Sequence, residues 1–399
     1  MGAREAGNGS PGSLTGAGAI LHLIRDGKAT TRAELAQITG LARSTVSQRV
    51  ESLLARRLVI PAAESVSTGG RPPTVLVFNA EAGAVLAADL GATHSRLAVA
   101  DLGGTIVAES THDVAIADGP ETVLPWLAER CEELLVEARL TAADVRAIGV
   151  GVPGPVEFAT GTPVSPPIMP GWDGYPVAGW LAERFGVPAL VDNDVNVIAL
   201  GEHSQQWPDV GHVAVVKVAT GIGMGLVTDG RIYRGAQGSA GDIGHIQVTT
   251  DPAVVCSCGN SGCLEAVAGG GALAARLSAA GVPAANARAV VELVRRGNPE
   301  ATRLVREAGR EIGGVLAAVV NIVNPAVVVV TGDLADAGEH LLAGVRETIY
   351  RRSTALATHS LRIVRSTTGD RGGVIGAAVL ALEHVLAPNA IDDATRTPR

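Results

Sequence analysis

Residues 84–110 read AVLAADLGATHSRLAVADLGGTIVAES, and the architecture of the chain follows from this segment. It contains three short β-rich runs, Val85–Leu90, Arg96–Asp101 and Thr105–Ser110, separated by turns that hold glycine. Short runs of this kind, bounded by turn residues, are typical of strands joined by hairpins. The segment therefore predicts a three-stranded meander.

The same order of elements occurs twice along the chain. After the first meander we expect a helix over about 122–140, the strand Ala147–Val152, a Pro/Gly-rich stretch, a second helix and the strand Pro188–Asp192. A second meander follows at Val213–Val218, Met224–Thr228 and Arg231–Tyr233, and then helices, the strands Ala326–Thr331 and Leu361–Arg365 and a last helix from Gly373. This repetition predicts a duplicated α/β body with a cleft between its lobes, where small ligands usually bind.

The first 79 residues predict a separate winged helix-turn-helix domain, with residues 1–13 flexible. A helix over 14–25 precedes a second helix that Thr31 and Glu34 can cap and that presents Leu35 and Ile38 inward. A third helix presents Val46, Val50, Leu53 and Leu54, and a two-stranded wing turns at Thr68–Pro72. We divide the body into a first lobe over 80–195, joined by a C-terminal helix over 373–386, a second lobe over 196–372 and a flexible tail over 387–399.

Charge is distributed unevenly over the 399 residues, whose formal net charge is −8. Residues 1–73 carry nine basic and five acidic side chains, so their net charge is +4 and the remainder carries −12. A basic head on an acidic body predicts that only the head meets a polyanion. No apolar run reaches the roughly 20 residues that span a bilayer, and the N-terminus lacks the pattern of a signal peptide. We expect a soluble, cytoplasmic protein that does not enter a membrane.

The third helix of the head has the side chains of a DNA-recognition helix. Short or fork-shaped donors opposite an apolar face can read base edges in the major groove. The predicted DNA contacts are Arg43, Ser44, Thr45, Ser47, Gln48 and Arg49, together with Arg71 of the wing, which we expect in the minor groove. The alternatives are a generic three-helix interaction module for the head and an ordinary turn for Gly70-Arg71-Pro72.

Three of the four cysteines lie within eight residues. Cys256, Cys258 and Cys263 are separated by glycines that permit tight turns, and His245 lies nearby. Three thiolates and one imidazole are the ligands of a structural zinc site, so we predict one Zn²⁺ per chain. The alternative is a set of buried free thiols, the interpretation we give to Cys131 on its helix.

Acidic and amide side chains follow the strand that ends at Asp192. Asn193 and Asp194 stand at the carboxyl end of this strand, where α/β proteins bind ligands, and can accept bonds from sugar hydroxyls. The alternative is a helix N-cap, for which Asn and Asp are well suited. Asp242 and Glu265 flank the cysteine segment, so a bound metal would position both carboxylates.

Two glycine-rich turns occupy matching places in the two halves. The residues that could cradle phosphate groups are Asp89, Gly91 and Thr93 in the first turn and Thr220, Gly221 and Gly223 in the second. Either turn alone is weak evidence, because β-hairpins also need glycine. Their matching places indicate a present or ancestral nucleotide site.

Taken together, these residues resemble the ROK (repressor, open reading frame, kinase) family, specifically its sugar-responsive transcriptional regulators. The resemblance covers about Leu14 to Leu386 and rests on these segments: Thr68–Pro72, Gly149–Pro155, Pro170–Trp172, Asn193-Asp194, Thr220–Gly225, Gly241–His245 and Cys256–Glu265. It implies a ribonuclease-H-like, actin/hexokinase-type two-lobed body. It also implies sugar contacts from Asn193, Asp194, Asp242, His245 and Glu265, and zinc held by His245 and the three cysteines.

The sequence departs from the kinase members of that family at the phosphate turns. His94 stands where kinases commonly have lysine, Ala92 replaces a glycine, and Thr331-Gly332-Asp333 replaces a glycine run. We therefore predict a DNA-binding regulator, a repressor of carbohydrate metabolism genes that binds a sugar or sugar derivative, has no catalytic residues and forms a homodimer or higher oligomer. The alternative is a sugar kinase with a DNA-binding head, which would use ATP, Mg²⁺ and Asp194 as the base.

Overall fold

A computed structural model describes residues 15–62 and 74–396. The head contains α1 (Ala17–Arg25), α2 (Arg32–Thr39) and α3 (Arg43–Ala55), followed by β1 (Val59–Pro61) and β2 (Leu76–Phe78), which pair antiparallel. Three helices followed by a two-stranded sheet are the arrangement expected of a winged helix-turn-helix. The N-terminal residues predicted to be flexible, Leu14, and the wing turn with Arg71 lie outside the described residues.

Helix α2 of the head begins at a side-chain cap and packs on the head through its buried side chains. The Thr31 side chain accepts a bond from the backbone N–H of Glu34, and the Glu34 carboxylate accepts one from the backbone N–H of Thr31, so the predicted capping box is present. Leu35 is fully buried, but Ile38 is 47% exposed. The prediction that Ile38 faces inward is wrong, because the short helix turns Leu35 and Ala36 toward the core and leaves Ile38 on its outer face before it ends at Gly40.

The first lobe is built on a five-stranded sheet of order β5-β4-β3-β6-β9. Its strands are β3 (Ala84–Leu90), β4 (Ser95–Asp101), β5 (Ile106–His112), β6 (Val145–Val152) and β9 (Ala189–Asn193), with a short hairpin β7 (Val156–Glu157) and β8 (Thr162–Pro163). The meander β3–β5 is antiparallel, whereas β6 and β9 run parallel to β3. Helices α4 (Pro120–Glu137) and α5 (Val177–Phe185) cover one face of the sheet.

The second lobe repeats this order in a sheet β12-β11-β10-β13-β14. Its strands are β10 (Val213–Val218), β11 (Ile222–Thr228), β12 (Arg231–Tyr233), β13 (Val327–Thr331) and β14 (Arg362–Arg365). Its helices are α7 (Leu264–Ala268), α8 (Gly270–Ala279), α9 (Ala287–Arg295), α10 (Pro299–Val323), α11 (Glu339–Arg352) and α12 (Ala355–Thr358). Two sheets of identical strand order confirm the predicted duplication.

Two helices pack between the sheets, α6 (Asp194–Gln206) and α13 (Gly372–Val385). They cross at glycines: a Cβ on Gly376 would lie 1.7 Å from the Val197 carbonyl oxygen, and one on Gly201 would lie 2.1 Å from that of Gly372. Only glycine permits so close an approach of the two backbones. The glycines therefore set the distance between the helices that separate the lobes.

The C-terminus departs from the prediction of a flexible tail. Residues Pro388–Arg396 form helix α14, on which Ile391 is buried. The backbone N–H of Gly18 in α1 donates to the Asp392 carboxylate at 2.9 Å, and the His22 imidazole donates to the Leu386 carbonyl at 2.7 Å. The tail forms a helix over these residues because Ile391 is buried beside α1 and the Asp392 carboxylate caps the start of α1.

Within the described residues, no single helix is long and apolar enough to cross a membrane. A bent pair of helical segments, Gly369–Val385 and Pro388–Arg396, meets that length and composition only jointly.

Candidate functional site

The predicted metal ligands lie together in the second lobe. The ligand atoms of His245, Cys256, Cys258 and Cys263 all lie within 4.8 Å of one another. The Cys258 and Cys263 Sγ atoms are 3.8 Å apart, and Cys256 Sγ lies 3.6 Å from His245 Nδ1. Ligands about 2.3 Å from a tetrahedral ion are separated by about 3.8 Å. The four side chains are therefore placed as the ligands of one metal ion would be, and we call them the metal cluster.

Tight backbone turns bring the four ligands together. Gly259 and Gly262 have φ values of 89° and 76°, which favour glycine, and a Cβ on Gly262 would lie 1.9 Å from the Thr249 carbonyl oxygen. Isolated bridges pair Gln247 with Cys263 and Val255 with Ser261. The loop returns on itself at these points, and α7 begins directly after Cys263.

The predicted sugar contacts all line one cleft of about 600 Å³ between the lobes. They are Asn193, Asp194, Asp242, His245 and Glu265. We call residues 245–263, which hold the four ligands, the metal loop. Glu265 follows this loop and accepts a bond from the backbone N–H of Ile222 at 3.0 Å, so it joins the loop to the second glycine-rich turn. His245 Nε2 lies 4.0 Å from Asp242 Oδ1. One predicted sugar contact, His245, thus belongs to the cluster, and two others, Asp242 and Glu265, lie beside it.

Asn193 also caps a helix, the role that was the alternative to sugar binding. Its Oδ1 accepts from the backbone N–H of Val195 at 3.0 Å and caps α6, while its Nδ2 donates to the Gly154 carbonyl at 3.0 Å. Asp192 is engaged in structure as well: its carboxylate accepts from Asn196 Nδ2 at 2.9 Å and Arg234 Nε at 2.7 Å. Asp194 begins α6 beside them and is 5% exposed.

Sequence reasoning missed Lys217, which reaches across the floor of the cleft. Its Nζ lies 2.5 Å from Asp194 Oδ2, and its side chain is 24% exposed. Burial alone would lower the pKa of Lys217, but the carboxylates of Asp194 and Asp89 outweigh that effect and raise the pKa above its usual value. A lone lysine in the otherwise apolar strand Val213–Val218 was the signal that could have revealed it.

Asp89 shares this environment on the other side of the cleft floor. Burial raises the pKa of Asp89 to about 6, an effect that Lys217 opposes and Asp194 reinforces. A Cβ on Gly373 would lie 1.9 Å from the Asp89 carboxylate, so the start of α13 closes directly over it. The first glycine-rich turn is thereby packed against a helix of the lobe interface.

Both glycine-rich turns line the same cleft. The lining includes Asp89, Gly91, Thr93, Thr220, Gly221 and Gly223. Arg288 of α9, which the sequence did not single out, connects the two lobes at this end. Its Nε lies 3.0 Å from Asp333 Oδ1 and its Nη2 lies 3.4 Å from His94 Nε2. Burial lowers the pKa of His94, and Arg288 lowers that pKa further.

Helix α3 presents the predicted polar face. Val46, Val50 and Leu53 are buried against the rest of the head. Arg43, Ser44 and Gln48 are exposed, and Thr45, Ser47 and Arg49 are partly exposed. Ala42 precedes the helix without a side-chain cap, as its sequence predicts. The DNA roles of these residues stay predictions.

Two features define the class of this protein. The body has two α/β lobes with a central cleft and the metal cluster, and the head has three helices and a two-stranded sheet. The family model described as the ROK family matches residues 85–384. The chain belongs to the ROK family.

Relatives of two kinds are similar to the chain over different lengths. A xylose repressor of Caldicellulosiruptor bescii is 28% identical over 92% of this chain and 95% of its own length. A solved ROK transcriptional regulator, a homologue of the E. coli MLC protein, is 25% identical with a TM-score of 0.82, covering 95% of this chain and 98% of its own. The ROK hexokinase of Thermus thermophilus is 32% identical with a TM-score of 0.63, covering 76% of this chain and 99% of its own. The body therefore has the actin-like two-lobed fold, and the similarity to regulators extends beyond the part shared with the kinase.

Proposed function

We propose that this protein is a DNA-binding transcriptional repressor of carbohydrate metabolism genes that responds to a sugar bound between its lobes. The observation that carries the proposal is the extent of the similarity. Regulators match 92–95% of the chain, whereas the hexokinase matches 76%. A kinase needs no basic head with an exposed polar face on its third helix, and a repressor does.

The sugar occupies the part of the cleft next to the metal cluster. Asp194, Asp242 and Glu265 supply carboxylate acceptors for sugar hydroxyls, while Asn193 and His245 complete the wall. Asn193 is held by its cap and by Gly154, so its orientation is fixed before the ligand arrives. Xylose is the first sugar to test, because relatives matching 92% of the chain are named xylose repressors.

A single structural Zn²⁺ fits the Cys3His cluster. The donor set is the one zinc prefers, and the separations of the ligand atoms suit a tetrahedral ion. Bound there, the ion would act as a cross-link rather than a catalyst. His245, Cys256, Cys258 and Cys263 would hold it, and the metal loop would keep Glu265 against the backbone N–H of Ile222.

The kinase alternative is favoured by the two glycine-rich turns that line the cleft. Two contacts oppose it. Lys217 occupies one of the two carboxylate oxygens of Asp194, which a kinase would need as the base. Arg288 bridges Asp333 and His94 across the nucleotide half of the cleft. The Asp333 carboxylate would also repel nucleotide phosphates.

We further propose that the protein acts as a homodimer. One helix-turn-helix head contacts only a half-site, and such proteins usually pair to read two half-sites about one helical turn apart. The dimer forms through the body, which leaves both recognition helices free for DNA. A strict monomer by light scattering that retains full operator affinity would contradict this proposal.

Operator binding and ATP turnover together test the function. An operator duplex is first selected from random DNA, and its affinity is measured by fluorescence anisotropy with and without each of a panel of sugars, xylose first. We expect at least one sugar to change operator affinity and none to stimulate ATP hydrolysis. Sugar-dependent turnover of roughly 1–10³ per second, an ordinary enzyme rate, would establish the kinase instead.

A further inference from the structure

The lining of the cleft is acidic. Nine carboxylates face it against five lysine and arginine side chains, a formal charge of −4. A cleft lined by an excess of one charge focuses the field inside it and raises the local concentration of ligands of opposite sign, at the expense of ligands of the same sign. An anion entering this cleft is therefore opposed before it makes any contact.

The basic side chains of the lining are already paired. Lys217 Nζ lies 2.5 Å from Asp194, Arg288 Nε lies 3.0 Å from Asp333, and Arg295 Nη2 lies 3.4 Å from Asp336. Arg365 also pairs with Asp336, and Arg96 lies 4.0 Å from Glu109 on β5. Charge-assisted bonds from such cations are the strongest that a phosphate group can receive from side chains. Among the described lining residues, each lysine and arginine has a carboxylate partner that an anion would have to displace.

Several carboxylates of the lining have no such partner. Asp89, Asp113, Asp242, Glu265 and Asp370 form no ion pair with a lysine or arginine within residues 15–62 and 74–396. Around the predicted sugar contacts, the lining holds one cation, Lys217, and three carboxylates, Asp194, Asp242 and Glu265. The lining thus offers abundant acceptors for hydroxyl groups and no available cation for an ester.

We infer that the effector is an uncharged sugar, and that the cleft discriminates against phosphorylated sugars and nucleotides. This inference rests on the proposed function, because it concerns the ligand of the same site. A phosphate ester carries about −1.5 to −2 charge at pH 7 and loses its hydration on entering the cleft. Without an available cation, no charge-assisted bond offsets this loss of hydration. Unpaired carboxylates are thus a repulsive element that gives specificity for the free sugar.

Matched pairs of sugars test the inference on the full chain bound to its operator. The pairs are xylose and xylose 5-phosphate, glucose and glucose 6-phosphate, and N-acetylglucosamine and its 6-phosphate, each titrated by calorimetry and by DNA anisotropy. We expect a free sugar to bind at least about tenfold more tightly than its ester, a difference of about 1.4 kcal/mol. A phosphate ester that binds as tightly as its parent sugar overturns the inference and leaves the sugar sensor intact. If no sugar and no ester binds, the proposed function itself fails.

A charge variant tests the cause. Asp333→Asn removes the carboxylate partner of Arg288 and one negative charge from the lining, so the preference for free sugar over its ester should fall at least about threefold. Asp370→Asn removes a charge without freeing a cation and should reduce the preference less. The matched control Glu300→Gln removes one of the two carboxylate partners of Arg303 on the surface of α10, outside the cleft, and should leave the preference unchanged. An unchanged preference in both cleft variants would overturn the electrostatic explanation.

Discussion

At the scale of single residues, Lys217 and Asp194 form a largely buried ion pair in the lining of the cleft. The two groups lie 2.5 Å apart, with side chains 24% and 7% exposed. The carboxylate keeps its second oxygen for a ligand, while the ammonium compensates its charge. Breaking a largely buried pair costs more than removing it entirely, because the remaining charge is left unpaired.

A double-mutant cycle tests this pair. Lys217→Met should destabilise the protein by a few kcal/mol, because it leaves Asp194 buried without its cation. Adding Asp194→Asn should recover part of that loss, measured as the free energy of unfolding in urea. Asp194→Asn alone should weaken sugar binding by about 1–3 kcal/mol, the usual cost of spoiling a hydrogen bond to a charged group. Strictly additive losses in stability would show that the two groups do not interact.

Asp89 makes stability depend on pH. Its pKa in the folded protein is about 6, against an ordinary value of 3.8, because burial disfavours the charged form. Between these two pH values the folded state keeps a proton that the unfolded state has lost, so stability falls as pH rises through this window. The fall should approach roughly 3 kcal/mol for a shift of about two units. Comparing unfolding of the wild type and Asp89→Asn from pH 4 to 7 measures it, and parallel curves would contradict it.

At the scale of elements, α3 is the helix that reads DNA in our proposal. Arg43 and Gln48 are exposed on it while Val46 and Val50 anchor it. Arg43→Ala and Gln48→Ala should relax base preference, each by about 1–3 kcal/mol for a good bidentate contact. Arg71→Ala should weaken binding most on A·T-rich flanks, where the minor groove is narrow. Competition binding to operator variants checks both, and equal losses on all sequences would place these side chains on phosphates instead.

The metal loop is the second element with a separable role. Cys258→Ser should lose the metal, measured as zinc per chain. It should abolish the response to sugar while operator binding is retained. The reason is that the loop holds Glu265 against the backbone of Ile222, whereas the head contacts the body at α14 and at Leu386 after α13, away from this loop. Cys131→Ala is the matched control: Cys131 lies on α4 outside the metal loop, so this variant should keep both the metal and the sugar response. A zinc-free protein with a normal sugar response would contradict this role.

The sequence predicts the elements better than it predicts their contacts. Alternating and helical periodicity located both meanders and the helices between them, because those patterns are local. The sequence did not single out Lys217, Arg234 and Arg288, because each finds its carboxylate partner more than twenty residues away along the chain. Helix α14 was missed for the same reason: its one buried apolar residue, Ile391, matters only once α1 lies against it.

At the scale of the whole molecule, one helix connects the cleft to the head. The start of α13 closes over Asp89, and beyond its end the Leu386 carbonyl accepts a bond from His22 of α1. Between these points α13 crosses α6, which begins at the predicted sugar contacts. If sugar binding changed the spacing of the lobes, α13 would carry that change toward Leu386, which the head contacts.

Sugar affinity in the presence and absence of operator tests the central claim, that the sugar in the cleft and the DNA on the head affect one another. Calorimetry measures the dissociation constant of the effective sugar for the free chain and for the chain saturated with operator duplex. Reciprocal coupling between the sites predicts that the two constants differ by about 5–150-fold, and that sugar changes operator affinity by the same factor. Equal sugar affinities with and without operator would contradict the account of this protein as a sugar-responsive regulator.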